Sequence, residues 1–209
     1  RTTVNLAPAD IKKEGPRYDL PVALAVLLEH KELKPAVKLG PNFFGRFLFL
    51  GELALDGRLR PVPGVLSTAL FAAEKGLEGM FVPQENATEA ALVKEIKTFP
   101  VQDLGQLVAH IRCLEQIEPM LPTQVQYIPD PTGVDMAYIA GQDYAKRALT
   151  IAAAGHHNVL MHGPPGSGKT LLAKAAAGII PNPTFEEMID TTRIYSIAGL
   201  LPPGTPLLT

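Results

Sequence analysis

The sequence predicts two domains of different class, an α+β domain over residues 1–115 and an α/β domain over residues 132–209. Two observations support this prediction. Four prolines interrupt every helical or strand period between residues 116 and 131, which marks a semi-extended linker. Before the linker, short strand-like runs alternate with apolar helices, whereas after it a glycine-rich loop joins a strand-like run to a helix.

The composition excludes several classes of protein. With 46% hydrophobic and 19% charged residues over 209 positions, the chain is globular rather than disordered. Its net charge is −2, and the parts before and after residue 115 carry 0 and −2, so neither is a basic nucleic-acid-binding module. The single cysteine excludes a disulfide scaffold and favours a reducing compartment, so we expect a cytoplasmic protein.

No membrane association is expected from the sequence. The longest apolar run has seven residues, well short of the ~20 that a spanning helix needs. The start of the chain lacks both an initiator methionine and the apolar stretch of a secretory signal. We therefore expect a piece of a longer protein.

The first domain reads as strands and helices in alternation. Residues 3–7 alternate weakly and predict a strand, and Asp19 with Pro21 predicts a capped helix from Leu20 to about Lys31. The remaining expected elements are a hairpin of strands 47–54 and 58–62 turning at Asp56-Gly57, a helix over 65–75, a strand over 79–82, a helix from Asn86 with a capping box to Glu89, and a helix over 103–115.

The second domain has a different order of elements. We expect a helix over 142–154, a short strand over 157–162, a helix over 169–180 that prolines end, and a helix over 184–197 opened by a capping box between Thr184 and Glu187.

Residues 163–170, Gly-Pro-Pro-Gly-Ser-Gly-Lys-Thr, fit the phosphate-binding pattern G-x-x-x-x-G-K-[ST] in full. Glycines let backbone N–H groups turn inward around an anion, and the next helix adds its free N–H groups and positive dipole end. In such loops the lysine reaches the β- and γ-phosphates and the Ser/Thr hydroxyl ligates Mg²⁺, here Lys169 and Thr170. The motif predicts binding of ATP and Mg²⁺. The predicted phosphate-binding residues are Gly163, Pro164, Pro165, Gly166, Ser167, Gly168, Lys169, Thr170 and Leu171.

Hydrolysis needs two further parts, an apolar strand ending in an acidic residue that holds Mg²⁺ and a transition-state arginine. The run Phe47–Glu52 ends in Gly-Glu and lies before the linker, and Met188-Ile-Asp190 is too short and falls in a predicted helix. We therefore assign no catalytic residue and expect these 209 residues to bind nucleotide without efficient turnover.

Four segments together resemble the YifB/ComM group of magnesium-chelatase-like AAA+ ATPases. Residues 135–170 and 196–204 are similar to its ATPase module, and residues 4–21 and 50–64 to its N-terminal domain. The resemblance covers nearly the whole chain. It implies an S5-like α+β fold shared with the Lon protease catalytic domain, without its first strands, followed by the beginning of an AAA+ domain that contains the Walker A loop only.

The resemblance also implies a site and partners. Ile139, Gly141 and Gln142 are expected near the adenine, and the parent protein is expected to be an ATPase that forms a homo-hexameric ring. The family also implies DNA as the substrate, through branch migration in natural transformation. Two other readings stay open, a noncatalytic assembly module and a magnesium chelatase subunit, the latter disfavoured by the Lon-like domain.

An active Lon-type protease is the least favoured reading. Lon carries its nucleophilic serine directly after Asp-Gly-Pro, whereas here Arg17 follows Glu14-Gly-Pro16. Lon's lysine lies in the helix after Pro-x-Gly-Gly, whereas here the helix after Gly64 has no lysine before Lys75. A Ser–Lys mechanism needs both partners, so we expect a pseudo-protease scaffold and read Ser67 as a helix-start residue.

Overall fold

The computed structural model describes residues 3–4, 16–40, 42–124, 134–202 and 205–208. They belong to two compact units, the first built from residues 1–125 and 188–208 and the second from residues 126–187. Residues 188–208 thus group with the first unit, where Met188 and Leu207 pack into its core, whereas the division made from sequence places them in the second domain. The domain boundaries themselves stay a prediction.

The first unit combines short helices with two small sheets. Its elements in chain order are α1 (Asp19–Glu29), α2 (Phe43–Arg46), β1 (Phe47–Phe49), β2 (Glu52–Leu53), β3 (Leu59–Arg60), α3 (Val65–Glu74), β4 (Gly79–Pro83), α4 (Ala87–Ala90), β5 (Lys97–Val101) and α5 (Leu104–Ile111), joined by α8 (Phe185–Ile197) from Met188 onward.

A three-stranded parallel sheet lies at the centre of this unit, in the order β1-β4-β5. All five residues of β4 are buried, as expected of a parallel strand that is covered on both faces. Successive side chains of a strand point to opposite faces. Accordingly, Met80 and Val82 pack in one core with α3, while Phe81 packs in a second core with α1 and α5. The mixed α/β and α+β class expected from the sequence is confirmed.

The expected hairpin forms, but over a shorter stretch. Strands β2 and β3 pair antiparallel, with Leu53 opposite Leu59, and Gly57 turns between them with φ +88°. The run 47–54 is not one strand, because its first part, β1, pairs in parallel with β4 instead. Residues 3 and 4 carry no regular structure, and the rest of the strand expected over 3–7 lies outside the described residues.

Two of the expected helix caps are wrong. Asp19 is the first residue of α1 rather than its cap, and its carboxylate accepts a hydrogen bond from Leu53 N at 3.3 Å. Asn86 and Glu89 do not form a capping box. Asn86 Oδ1 instead accepts from Val62 N at 2.9 Å, and Glu89 Oε1 accepts from Leu66 N at 3.1 Å. Both side chains are buried, so tertiary partners replace the local ones.

The strand β5 was not expected from the sequence. It extends the sheet through Lys97–Val101, and Met120 then adds an isolated bridge to Thr98, with Met120 N donating to Thr98 O at 2.7 Å. Thr123 also binds this unit, since its backbone N donates to Ala91 O at 2.9 Å. The first residues of the expected linker are therefore hydrogen-bonded to the first unit, and residues 125–131 lie outside the described chain.

The second unit contains α6 (Asp143–Gly155), α7 (Lys169–Ala177) and the first turn of α8. Its small core consists of Ile139, Leu149, Leu172 and Ala175. The capping box at the start of α8 is confirmed: Thr184 N donates to Glu187 Oε2 at 2.7 Å, and Glu187 N donates to Thr184 Oγ1 at 3.3 Å.

The strand expected over residues 157–162 does not form. The segment has no regular secondary structure and no ladder partner among the described residues. An apolar run becomes a strand only where a neighbour satisfies its backbone groups. Nor does any helix in the described part of the chain have the length and apolarity needed to cross a membrane.

Candidate nucleotide-binding site

The loop 163–168 leads directly into α7, as the motif predicts. Gly166 and Gly168 have φ of +78° and +81°, a backbone region that favours glycine because other residues bring Cβ too close to the following carbonyl. Gly168 is also the N-cap residue of α7. The two glycines therefore turn the backbone sharply at the start of a helix whose first N–H groups have no partner within the helix.

The Lys169 ammonium folds back over this loop. Its Nζ donates to Gly163 O at 2.8 Å, to Pro164 O at 2.7 Å and to Ser167 Oγ at 3.1 Å. All three acceptors are neutral, and an ammonium binds an anionic oxygen more strongly than a neutral one. The positive charge therefore lies on the loop itself, with partners that a phosphate oxygen can replace.

The next two predicted residues occupy the first turn of α7. Thr170 and Leu171 are both exposed, and Leu172, which follows them, is buried in the small core. The helix thus packs through Leu172 while it leaves the Thr170 hydroxyl open to solvent. That position suits a hydroxyl ligand for Mg²⁺.

The segment expected near a base also reaches the loop. Ile139 is buried, and Gly141 and Gln142 have φ of +65° and +60°. Gln142 is the N-cap residue of α6, and its Nε2 donates to Ser167 O at 3.5 Å. The structure therefore brings residues 139–142 beside the phosphate-binding loop, although these two segments are more than twenty residues apart in sequence.

The sequence did not indicate one residue that contacts this segment. Lys146, half-buried one turn into α6, donates a hydrogen bond from its ammonium to the carbonyl of Ile139. No motif marks this lysine, and its seven-residue spacing from Ile139 would place the two on one face only within a single helix, whereas Ile139 precedes α6. Only the turn geometry reveals the contact.

The two acidic residues weighed for catalysis lie in the first unit. Glu52 is in β2, where its Oε1 is 3.6 Å from Arg60 Nη1, and Asp190 is exposed on α8. In the second unit, the Glu187 carboxylate accepts hydrogen bonds from the backbone N–H and the hydroxyl of Thr184. These bonds lower the pKa of the Glu187 carboxyl. Among the described residues, no group of three His, Cys, Asp or Glu side chains is placed to hold a metal.

The geometry around α3 gives no support to proteolysis. Ser67 Oγ is buried and has no hydrogen-bond partner among the described residues, so no base activates it. A cavity of about 560 Å³ opens in the first unit, where Pro61, Pro63 and Glu89 face Pro202 and Pro206. Two carboxylates line it, the exposed Glu85 and the buried Glu89, and Glu89 already accepts hydrogen bonds from Leu66 N and the Ser196 hydroxyl.

Two family models match the chain. One, described as subunit ChlI of Mg-chelatase, matches residues 1–86. The other, described as magnesium chelatase, subunit ChlI, matches residues 135–207 and so includes the phosphate-binding loop.

Known proteins are similar over most of the chain. The competence protein ComM of Haemophilus influenzae is 41% identical over 201 residues, which are 94% of this chain and 38% of ComM. YifB of Salmonella typhimurium is 39% identical over 200 residues, 95% of this chain and 38% of that protein. The Lon protease of Rhizobium meliloti is 26% identical over 132 residues, 60% of this chain and 15% of Lon. The chain thus spans about two fifths of the length of its ComM and YifB relatives.

Proposed function

Because the chain belongs to the magnesium-chelatase-like family that includes ComM and YifB, we propose that it binds ATP and Mg²⁺ through residues 163–170. One observation carries the proposal: the Lys169 ammonium lies on the carbonyls and hydroxyl of a loop that turns at two positive-φ glycines into a helix N-terminus. Such features together are typical of anion-binding sites and support the proposal.

Different residues of the chain bind the phosphates, the Mg²⁺ ion and the base. Lys169 exchanges its loop partners for phosphate oxygens, and the free N–H groups at the start of α7 bind the same anion. Thr170 offers its exposed hydroxyl as a ligand for Mg²⁺. When bound, Mg²⁺ neutralises charge on the phosphate tail. Ile139, Gly141 and Gln142 border the loop at the place proposed for the base.

For the longer protein we propose an ATP-driven, homo-hexameric ring motor in the cytoplasm that acts on DNA. The proposal is supported by the similarity to a competence protein. The match to magnesium chelatase models favours a chelatase subunit as the second candidate. Gel shifts with branched and linear DNA at low salt, performed on the longer protein, distinguish the two, because DNA binding through phosphate contacts is strongest there. Absence of any shift would contradict the motor.

Isothermal titration of the 209-residue chain with ATP and Mg²⁺ tests the nucleotide site. Wild type should bind, and Lys169→Ala should lose most of the affinity because the ammonium that faces the phosphates is gone. Lys174→Ala is the matched control, since it removes an exposed lysine one turn further along α7 and should bind like wild type. Equal affinity of wild type and Lys169→Ala would refute the site.

We also expect this 209-residue chain to release phosphate from ATP only at the background rate. Neither acidic residue considered for Mg²⁺ stands at the end of an apolar strand that follows the loop: Glu52 pairs with Arg60 in the hairpin, and Asp190 lies within the helix α8. A malachite-green assay of released phosphate measures this. Turnover that disappears in Lys169→Ala would show that an acidic residue of the chain supports hydrolysis.

A further inference from the structure

Residues 139–142 are held at three separate points. The Ile139 side chain is buried between α6 and α7, in the same core as Leu172 and Ala175. Its carbonyl accepts from the Lys146 ammonium. At the other end, the Gln142 amide donates to Ser167 O at 3.5 Å. The burial of Ile139 and the Lys146 hydrogen bond hold one end of the turn, and the long contact of Gln142 places the other end beside the phosphate-binding loop.

Between these points the backbone is open. Ala140 and Gly141 are exposed, and a Cβ added at Gly141 would meet no atom within 4 Å. Gln142 holds a left-handed φ of +60°, a conformation that is costly for a residue other than glycine and persists only where the surroundings impose it. The turn therefore exposes the backbone N–H and C=O groups of residues 140–141 beside the loop, and Gln142 is held in a strained conformation.

The half-buried position of Lys146, whose ammonium binds a neutral carbonyl, carries an energetic cost. Desolvating an ammonium is unfavourable unless its partners compensate, and an exposed position would avoid that cost. The Lys146 contact joins the first turn of α6 to the segment that precedes it, and Lys146 N also donates to Gln142 O at 2.9 Å. The Lys146 side chain thus binds the Ile139 end of the turn, while its backbone N–H makes the first intrahelical hydrogen bond of α6, to Gln142 O.

We propose that Lys146 is a positioning residue for the nucleotide base: it presets the peptide edge of residues 140–141 against which the base of a loop-bound nucleotide lies. This inference rests on the proposed nucleotide site. The base is joined to the phosphate tail through a single ribose, so it must lie beside the loop. The turn that Gln142 connects to Ser167 supplies backbone donors and acceptors there. Lys146 itself touches neither the phosphates nor the base.

The test separates base contacts from phosphate contacts. The ligands are ATP, GTP and inorganic tripolyphosphate, each with Mg²⁺, titrated against the full 209-residue chain. Lys146→Met should weaken ATP binding about tenfold, which corresponds to the loss of one charge-assisted hydrogen bond. Tripolyphosphate, which has no base, should bind as it does to wild type, and the preference for ATP over GTP should shrink. Lys146→Arg keeps a donor and should restore most of the ATP affinity.

A second variant guards against misfolding of Lys146→Met. Gln142→Asn tolerates the left-handed backbone but is too short to reach Ser167, and it should also weaken ATP more than tripolyphosphate. Lys174→Met, on the exposed side of α7, is the control and should match wild type for all three ligands. A parallel loss of ATP and tripolyphosphate affinity in both variants, or no loss of ATP affinity in either, overturns the inference. If wild type binds neither ATP nor tripolyphosphate, the nucleotide site itself is refuted instead.

Discussion

Glu89 provides the sharpest test of how the first unit is held together. Its carboxylate is buried and accepts hydrogen bonds from Leu66 N at 3.1 Å, from the Ser196 hydroxyl and, at 3.5 Å, from Asn86 Nδ2. Glu89→Leu fills similar space without any acceptor. The replacement therefore leaves buried donors at the start of α3 and on α8 without their partner.

The size of the effect follows from these contacts. A buried neutral donor that loses its partner costs about 1–3 kcal/mol. The Leu66 N–H is fixed at the start of α3 and bears the full cost, whereas the Ser196 hydroxyl can rotate and the 3.5 Å contact of Asn86 is long. We expect a loss of about 3 kcal/mol in the stability of this unit.

Hydrogen exchange of the β4 peptide, residues 79–83, measures the first unit by itself, because the strand is fully buried there. A loss of about 3 kcal/mol corresponds to a drop in protection of roughly 150-fold. Glu85→Leu is the matched control, since Glu85 is an exposed glutamate one turn before Glu89. A drop of less than about tenfold in Glu89→Leu would show that the carboxylate does not hold α3 and α8 in this unit.

Three further changes have defined outcomes. Phe81→Ala should destabilise the first unit by about 3–5 kcal/mol, read by urea unfolding, because this fully buried ring lies between two stacked rings; a loss under 1 kcal/mol would contradict the packing. Burial lowers the pKa of His110 below 6.5, and its Nδ1 accepts from Ile117 N at 2.9 Å. The unfolded chain therefore takes up a proton more readily than the folded one, so the free energy of unfolding should fall as pH drops through about 6.5. His110→Gln should make the free energy of unfolding depend less on pH between roughly pH 7.5 and 5.5. An unchanged pH dependence would show that other groups cause it. Thr184→Ala keeps the backbone N–H that contributes most to the lowered pKa of Glu187 but removes the hydroxyl, so the pKa should return part of the way toward its ordinary value in an NMR titration. The first turn of α8 should also exchange faster, and an unmoved pKa would contradict the contact between the hydroxyl and the carboxylate.

The sequence predicted those elements whose signals are local. The helices α3, α6 and α8 follow apolar periods with clear ends, and the hairpin at Gly57 needs only its turn chemistry. The phosphate-binding loop also lies in one stretch of chain, so its pattern and its helix could be read together. Such features form wherever the local sequence favours the same conformation as the overall fold.

Features that depend on distant residues were missed. Asn86-x-x-Glu89 and Thr184-x-x-Glu187 have the same spacing, yet only the exposed pair closes into a capping box, because the buried pair finds partners in another segment. The strand β5 was hidden by Pro100, which ordinarily argues against a strand interior. The Lys146 contact was equally invisible, since tertiary folding alone brings its ammonium to Ile139.

The hydroxyl of Ser196 accepts from Gly64 N, a residue 132 positions earlier, and donates to Glu89, 107 positions earlier. Synthesis on the ribosome proceeds from the amino terminus, so the start of α3 lacks this hydrogen-bond partner until the whole intervening second unit has been translated. Contacts of such long range slow folding and prolong the exposure of unfinished surfaces. The first unit can therefore complete its hydrogen bonding only after residues 188–208 have been synthesised.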